Sequence, residues 1–445
     1  MEIPFGMLVG ALVFLVALGA GIPVCWSFLA SSLVALALMD SPAGFITATF
    51  YGAIDNYIMM AIAFFILAGA LMAEAGVADA IIRLAHALVG KIKGGLAAVG
   101  VLATLFISSL TGSSVPCIAT LIPLLVPRME KLGYERRYST AILCSSSFMG
   151  YLIPPSIPVL IYCLVARQSV AAVFLATVIP GLLLAASYLL INYFVSSRYM
   201  HPTSEVDALP TTLKGSVKKV GIATWLALPA LGCPLIILGG IYGGIFTPNE
   251  AGAVAVLYTV IIGLFVYREM KLKTMLACTK NAAGTLGMVT LLLGFGMIFA
   301  RLMVREGIAE VVSESFIGVF GEKYLILLML NLLLLIMGMF IDGIPILIIV
   351  VPLLMPLVEV IDVNLVHLGA IIVVNVGIGV VTPPYAISIF VGSRLSGVPY
   401  AQLVKPMMLF LLIGCLPVLF LTTYFPVLSC WLPSLVVGAK IVGPW

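Results

Sequence analysis

The chain has 445 residues, 63% hydrophobic and 9% charged, with a net charge of +4 and a mean hydropathy of +1.25. Soluble domains carry roughly a quarter charged residues, so this chain cannot cover its surface with water-compatible groups. Apolar runs of about 20 residues recur from end to end and suit lipid. The small net charge, with no basic stripe, excludes a nucleic-acid surface and fits basic cytoplasmic loops.

Residues 4–20 and 22–39 predict two spans. Residues 5–20 are not a signal peptide, because Glu2 precedes them, no basic segment exists, and apolar sequence continues to Met39. A third span is expected at 57–75. The amphipathic stretch 78–93 carries Arg83, His86, Lys91 and Lys93 and is expected to lie along the membrane interface.

Residues 94–127 are too long for one span and awkward as two, with the polar run Thr111-Gly112-Ser113-Ser114 at their middle. Lys91 and Lys93 stand on one flank; Arg128, Lys131, Arg136 and Arg137 stand on the other. The positive-inside rule puts both ends in the cytoplasm, which predicts a re-entrant hairpin whose tip is enclosed by protein or a water-filled cavity. A span at 138–165 follows, interrupted by Ile153-Pro154-Pro155-Ser156. Adjacent prolines remove two backbone donors and break it in mid-membrane. A span at 171–195 closes a first half, 1–195.

Segment 196–221 is the longest polar stretch, with Arg198, Lys214, Lys218 and Lys219 against Glu205 and Asp207, and reads as a cytoplasmic linker. A second half, 222–430, repeats the scheme: spans near 222–239, 243–267 and 285–304, an amphipathic stretch 306–321, a hairpin 323–357, a broken span 366–394 and a last span 403–428. Residues 431–445 read as a tail. Adding 229 carries Pro116, Pro123, Pro127, Pro154 and Pro155 onto Pro345, Pro352, Pro356, Pro383 and Pro384. Five of the six prolines between 111 and 160 therefore find partners, where 26 prolines in 445 residues would supply fewer than one by chance. Glu130/Glu359 and Gly150/Gly379 keep the same shift, so the chain contains an internal duplication. Five spans per copy, an odd number, turn the second copy upside down. Arg301 and Arg305 then fall outside, against the usual charge bias. The expected fold is thus an all-α polytopic membrane protein, an inverted-repeat secondary transporter with two re-entrant hairpins, two proline-broken spans and a site at the bilayer midplane.

Two tip-and-break pairs carry the chemistry. Thr111, Gly112, Ser113 and Ser114 face Pro154, Pro155 and Ser156; Asp342 and Gly343 face Thr382 and Pro383. Unwound carbonyls and hydroxyl oxygens of low charge suit Na⁺, and half-helix N-termini suit a carboxylate. The plainer reading is that Gly and Ser only permit tight turns and close packing. Asp342 is the sole acidic residue between 324 and 358, so it is an ion-site candidate, or else a polar cap at the tip. Asn375 either orients carbonyls or satisfies a neighbouring helix. Arg301 and Arg394 are candidate substrate contacts, since a guanidinium clasps a carboxylate with two bonds, although both sit near span ends where side chains snorkel. His86, His201 and His367 are isolated, and the cysteines show no ligand spacing. No catalytic residues, cofactor or resident metal are expected, and phosphate-loop and hydrolase motifs are missing.

At these residues the sequence resembles the large membrane subunit of TRAP transporters, the DctM-like family. The matching stretches are Leu110-Thr111-Gly112-Ser113-Ser114, Gly133-Tyr134, Ile153-Pro154-Pro155-Ser156-Ile157-Pro158, Phe246-Thr247-Pro248-Asn249-Glu250-Ala251, Gly338-Met339-Phe340-Ile341-Asp342 and Thr382-Pro383-Pro384. The resemblance implies an elevator-type carrier of the bacterial inner membrane, with Na⁺ as coupling ion. It implies a small membrane partner and a periplasmic substrate-binding protein that delivers an organic acid. Met1 leads directly into the first span, so the small partner is expected as a separate chain. A stand-alone divalent-anion/Na⁺ symporter is the nearest rival; an intramembrane enzyme lacks a paired nucleophile and base.

Overall fold

In a computed structural model, residues 4–39, 42, 44–90, 94–201 and 213–445 are described, without the side chains of Leu110 and 213–220. Lys91 and Lys93 lie outside these, as do Glu205, Asp207 and the side chains of Lys214, Lys218 and Lys219 in the expected linker. The described residues form helices and no strand. Eight of the helices are long and apolar enough to cross a membrane.

α1 (Phe5–Gly19) and α2 (Val24–Leu38) pack together through small residues. The Ser31 hydroxyl donates to the Gly10 carbonyl at 2.7 Å. α3 (Gly44–Ile54) follows, and α4 (Tyr57–Glu74) begins at Asn56, whose side chain accepts from the Ile58 N–H at 2.9 Å. α5 (Val77–Val89) is amphipathic as expected and buries Val77, Ala80, Ile81 and Leu84 on one side. α6 (Gly95–Thr111) and α7 (Ser114–Lys131) form a helical hairpin. α8 (Arg136–Ser146) passes through a 3₁₀ turn, Ser147–Tyr151, to the Pro154-Pro155 break, and α9 (Ile157–Ala166) resumes beyond it. α10 (Val170–Val195) completes this half.

The second half opens with α11 (Leu213–Tyr242), α12 (Pro248–Ile261) and α13 (Leu272–Arg305). Then come α14 (Ile308–Phe320), a second hairpin of α15 (Lys323–Phe340) and α16 (Gly343–Val360), and α17 (Leu365–Val380) and α18 (Ile387–Ser396) on either side of Pro383-Pro384. α19 (Tyr400–Leu409) and α20 (Leu416–Tyr424) are joined by a π-helical turn, and α21 (Val427–Pro433) and α22 (Ala439–Val442) follow.

The spacing of 229 holds for elements as it does for prolines. It carries α7 onto α16 end for end, and α10 onto the stretch from α19 to α20 within one residue. Packing is exchanged between the halves: α7 lies on α18 while α16 lies on α9, and α2 lies on α13 while α12 lies on α4. A two-fold relation produces such an exchange. α17 is buried without interruption from Val366 to Val380, as suits a helix apolar all round. By contrast Phe5, Leu12, Trp225, Leu235 and Phe265 turn large apolar surfaces outward, where only lipid or another membrane chain would cover them.

Three features lay outside the sequence expectations. α3 was not foreseen; its counterpart is the first third of α13, which runs on unbroken where Asp55 and Asn56 interrupt the first copy. α13 accordingly starts at Leu272, well ahead of the span expected from 285, because Lys273 and Lys280 mark polarity and leave helicity intact. The expected tail folds back, with the Asn364 amide donating to the carbonyls of Val442 at 2.7 Å and Pro444 at 2.8 Å.

Candidate functional site

The first hairpin turns at Gly112, whose φ of 61° suits glycine. The Thr111 hydroxyl bonds within the turn, to the carbonyls of Ser108 at 3.4 Å and Ser113 at 3.1 Å. A β-carbon at Gly112 would stand 3.2 Å from Ile157 Cγ1 and 3.5 Å from the Pro155 carbonyl oxygen, so tip and break abut as the sequence anticipates. At the break, the peptide between Pro154 and Pro155 is cis. The Ser156 hydroxyl donates to the Tyr151 carbonyl at 2.5 Å and caps α9 by accepting from the Val159 N–H at 3.4 Å.

The second hairpin turns at Ile341 and Asp342, immediately before Gly343 opens α16. It reaches its break through glycines: a β-carbon on Gly338 of α15 would lie 2.8 Å from the Gly379 Cα of α17. The Thr382 hydroxyl donates to the Ile378 carbonyl at 2.6 Å, and the peptide between Pro383 and Pro384 is cis.

Both tips open onto one cavity of about 230 Å³. Its lining is paired across the duplication, Ser113 with Asp342, Ser114 with Gly343, Val115 with Ile344, Tyr151 with Val380 and Pro158 with Ile387. α4 contributes Ile66 and α13 contributes Thr285, Met288 and Val289 as walls. Neither Ser113 nor Asp342, the residues preceding α7 and α16, caps its helix with its side chain. First-turn N–H groups of two 18-residue helices are thus left at a cavity that also holds hydroxyls, a phenol and one carboxylate. Helix N-termini favour anions, and neutral oxygens beside a single carboxylate favour a small hard cation. Among the described residues no three of His, Cys, Asp and Glu gather as ligands.

Tyr151 was missed by sequence reasoning. Its position directly after Gly150 and just before the Pro154-Pro155 break was the available signal. Asn375 is not among the cavity's lining; its amide donates to the Asn331 carbonyl at 3.1 Å and to Asn331 Oδ1 at 2.9 Å, and Asn331 in turn donates to the Thr423 hydroxyl at 2.9 Å. It joins α17 to α15 and α20. Arg301 and Arg394 are exposed and are not brought to the cavity, each lying toward the C-terminal end of its helix, where a long side chain reaches outward. The Thr247-Pro248-Asn249-Glu250 motif is a reciprocal capping box at the start of α12, with the Thr247 N–H donating to Glu250 at 2.8 Å.

Residues 11–428 match the family model described as tripartite ATP-independent periplasmic transporter, DctM component. The chain belongs to that family. It is 33% identical to the sialic acid TRAP transporter large permease protein SiaM of Vibrio cholerae, over 94% of this chain and 96% of that one. It is 34% identical to the isethionate TRAP transporter permease protein DctMQ of Oleidesulfovibrio alaskensis, over 93% of this chain but only 64% of that longer protein. In fold it is similar to the YdaH transporter of Alcanivorax borkumensis, with a TM-score of 0.62 and 16% identity, covering 99% of this chain and 100% of that one. These DctM relatives are transporter permeases, not enzymes, and this chain is a multi-pass protein of the bacterial inner membrane. Large permeases of the family work with a small membrane subunit and a periplasmic binding protein.

Proposed function

We propose that this chain is the large membrane subunit of a Na⁺-coupled, binding-protein-dependent carrier that imports a small organic acid by an elevator movement. The observation that carries the reading is the shared cavity, where two hairpin tips and residues flanking both proline breaks meet in counterpart pairs. A site built from both copies of an inverted repeat can be exposed to one side and then the other as one body moves against another. The two hairpins with α8, α9, α17 and α18 form the moving body, and α1 to α4 with α11 to α13 form the scaffold. Na⁺ is held by oxygens at the cavity around Ser113, Ser114 and Asp342, while Ser156 and Thr382, whose hydroxyls bond to the Tyr151 and Ile378 carbonyls, shape the breaks behind them. The acid's carboxylate or sulfonate is received by the open first turns of α7 and α16, in keeping with the sialic acid and isethionate named for its relatives.

Selection of the acid falls to the binding protein, since the only charged group lining the cavity is acidic. With its small subunit, its binding protein and an organic acid held by that protein, the chain should drive uptake into proteoliposomes under an inward Na⁺ gradient. Uptake should stop when either the gradient or the binding protein is omitted. Robust Na⁺-driven uptake without the binding protein would overturn the tripartite mechanism in favour of a stand-alone symporter.

A further inference from the structure

A second cavity, of about 450 Å³, lies between α5 and the first hairpin, away from the tips. Its rim holds four basic side chains, Arg83, His86, Arg128 and Lys131. Arg83 and His86 are three residues apart on α5, and Arg128 and Lys131 are three apart on α7, so each pair shares one helix face. All four are exposed, and among the described residues none makes an ion pair. Among the described residues Arg83 bonds to the Asp79 backbone carbonyl, at 3.3 Å, and the nearby Glu130 is taken by Arg136 at 3.3 Å. The floor is apolar, formed by Ile82, Leu96 and Leu125, all buried.

The duplication supplies an internal control. At a spacing of 229 the four basic positions become Val312, Ser315, Leu357 and Val360. Neither α14 nor α16 has a basic residue in its last turn, so the architecture and its helix dipoles do not require these charges. Charge bias in cytoplasmic loops alone would account for basic residues, but not for their convergence over an apolar-floored cavity.

We infer that this cavity binds the phosphate headgroup of an anionic phospholipid, with the glycerol and upper acyl segments against Ile82, Leu96 and Leu125. Guanidinium groups bind phosphate through paired hydrogen bonds, and basic residues at an anionic leaflet gain from its surface potential. The ligand bridges the arm helix α5 to the hairpin, where it ties a hairpin helix to the membrane surface. This does not depend on Na⁺ coupling or on which acid is carried.

The test is native mass spectrometry of the full-length, delipidated chain in detergent. The probes are phosphatidylglycerol, phosphatidylcholine of matched acyl chains, and inorganic phosphate. Wild type should retain one phosphatidylglycerol in preference to phosphatidylcholine. Arg83→Gln with Arg128→Gln should weaken that binding about tenfold or more, while Arg83→Lys with Arg128→Lys, which keeps the charge but not the paired hydrogen bonds, should weaken it less. Lys271→Gln with Lys273→Gln, an exposed basic pair at the start of α13 that does not line the cavity, should leave it unchanged, and thermal unfolding of each variant checks its fold. Unaltered phosphatidylglycerol binding by the folded double Gln variant overturns the site, as does equal loss in the Lys271, Lys273 control. Displacement of the lipid by inorganic phosphate at equal concentration overturns a phospholipid as its occupant.

Discussion

Asp342 has no acidic or basic neighbour in the sequence for many residues on either side, and the fold sets it at a cavity beside the start of α16, which its side chain does not cap. In the proposed function this carboxylate lies within the bilayer, where it is costly unless compensated, and the coupling cation is what compensates it. Asp342→Ala should therefore flatten the dependence of uptake on Na⁺ concentration while leaving the amount of protein in the membrane unchanged; normal Na⁺ activation in that variant would reduce Asp342 to a polar cap on the turn. Asp342 was legible because charge is rare in an apolar run. Tyr151 was less so, because tyrosines recur through the chain and its place between Gly150 and the break was the one sign that set it apart. Arg301 and Arg394 show the same limit in reverse: guanidinium chemistry suits an acid, but the face of the helix that carries it cannot be read from composition.

At the scale of elements, the hairpins and breaks were legible because glycine, proline and hydroxyl residues interrupt apolar runs at fixed spacing. α3 was not, because eleven residues are too few to span lipid and hydropathy alone gives no sign that they are helical. Close approach at Gly338 and Gly379 explains why α15 lies so tightly on α17. Gly379→Ala would drive a methyl group to 2.6 Å from the Gly338 Cα, backbone against side chain, and should lower stability by about 1–3 kcal/mol through overpacking. Gly284, in α13, has nothing within 4 Å of the same built carbon. Gly284→Ala should raise stability by up to about 1 kcal/mol from helix propensity. Thermal unfolding of the two variants in one detergent measures both, and a Gly379→Ala protein as stable as wild type would show that the hairpin is looser against its break than the geometry implies.

At the scale of the whole molecule the duplication was legible in five prolines, and the exchanged packing of the two halves agrees with it. Exchange alone leaves the direction of the symmetry axis open. An axis along the membrane normal would set both hairpins to open on one side, as parallel repeats do, whereas an axis in the membrane plane opposes them. Only the second arrangement would let the two tips approach one cavity from opposite faces, and it is the one expected from an odd number of spans per copy. The C-terminal ends of α7 and α16 are counterparts, and Lys131 and Val360 stand there, both exposed. All eight native cysteines are free and buried, so background reaction with a polar maleimide should be low in intact membranes. Lys131→Cys should then react only once the cytoplasmic face is opened to the reagent, and Val360→Cys should react in intact cells with a permeable outer membrane. If both react from the same face, the halves are parallel repeats and alternating access at the shared cavity loses its structural basis.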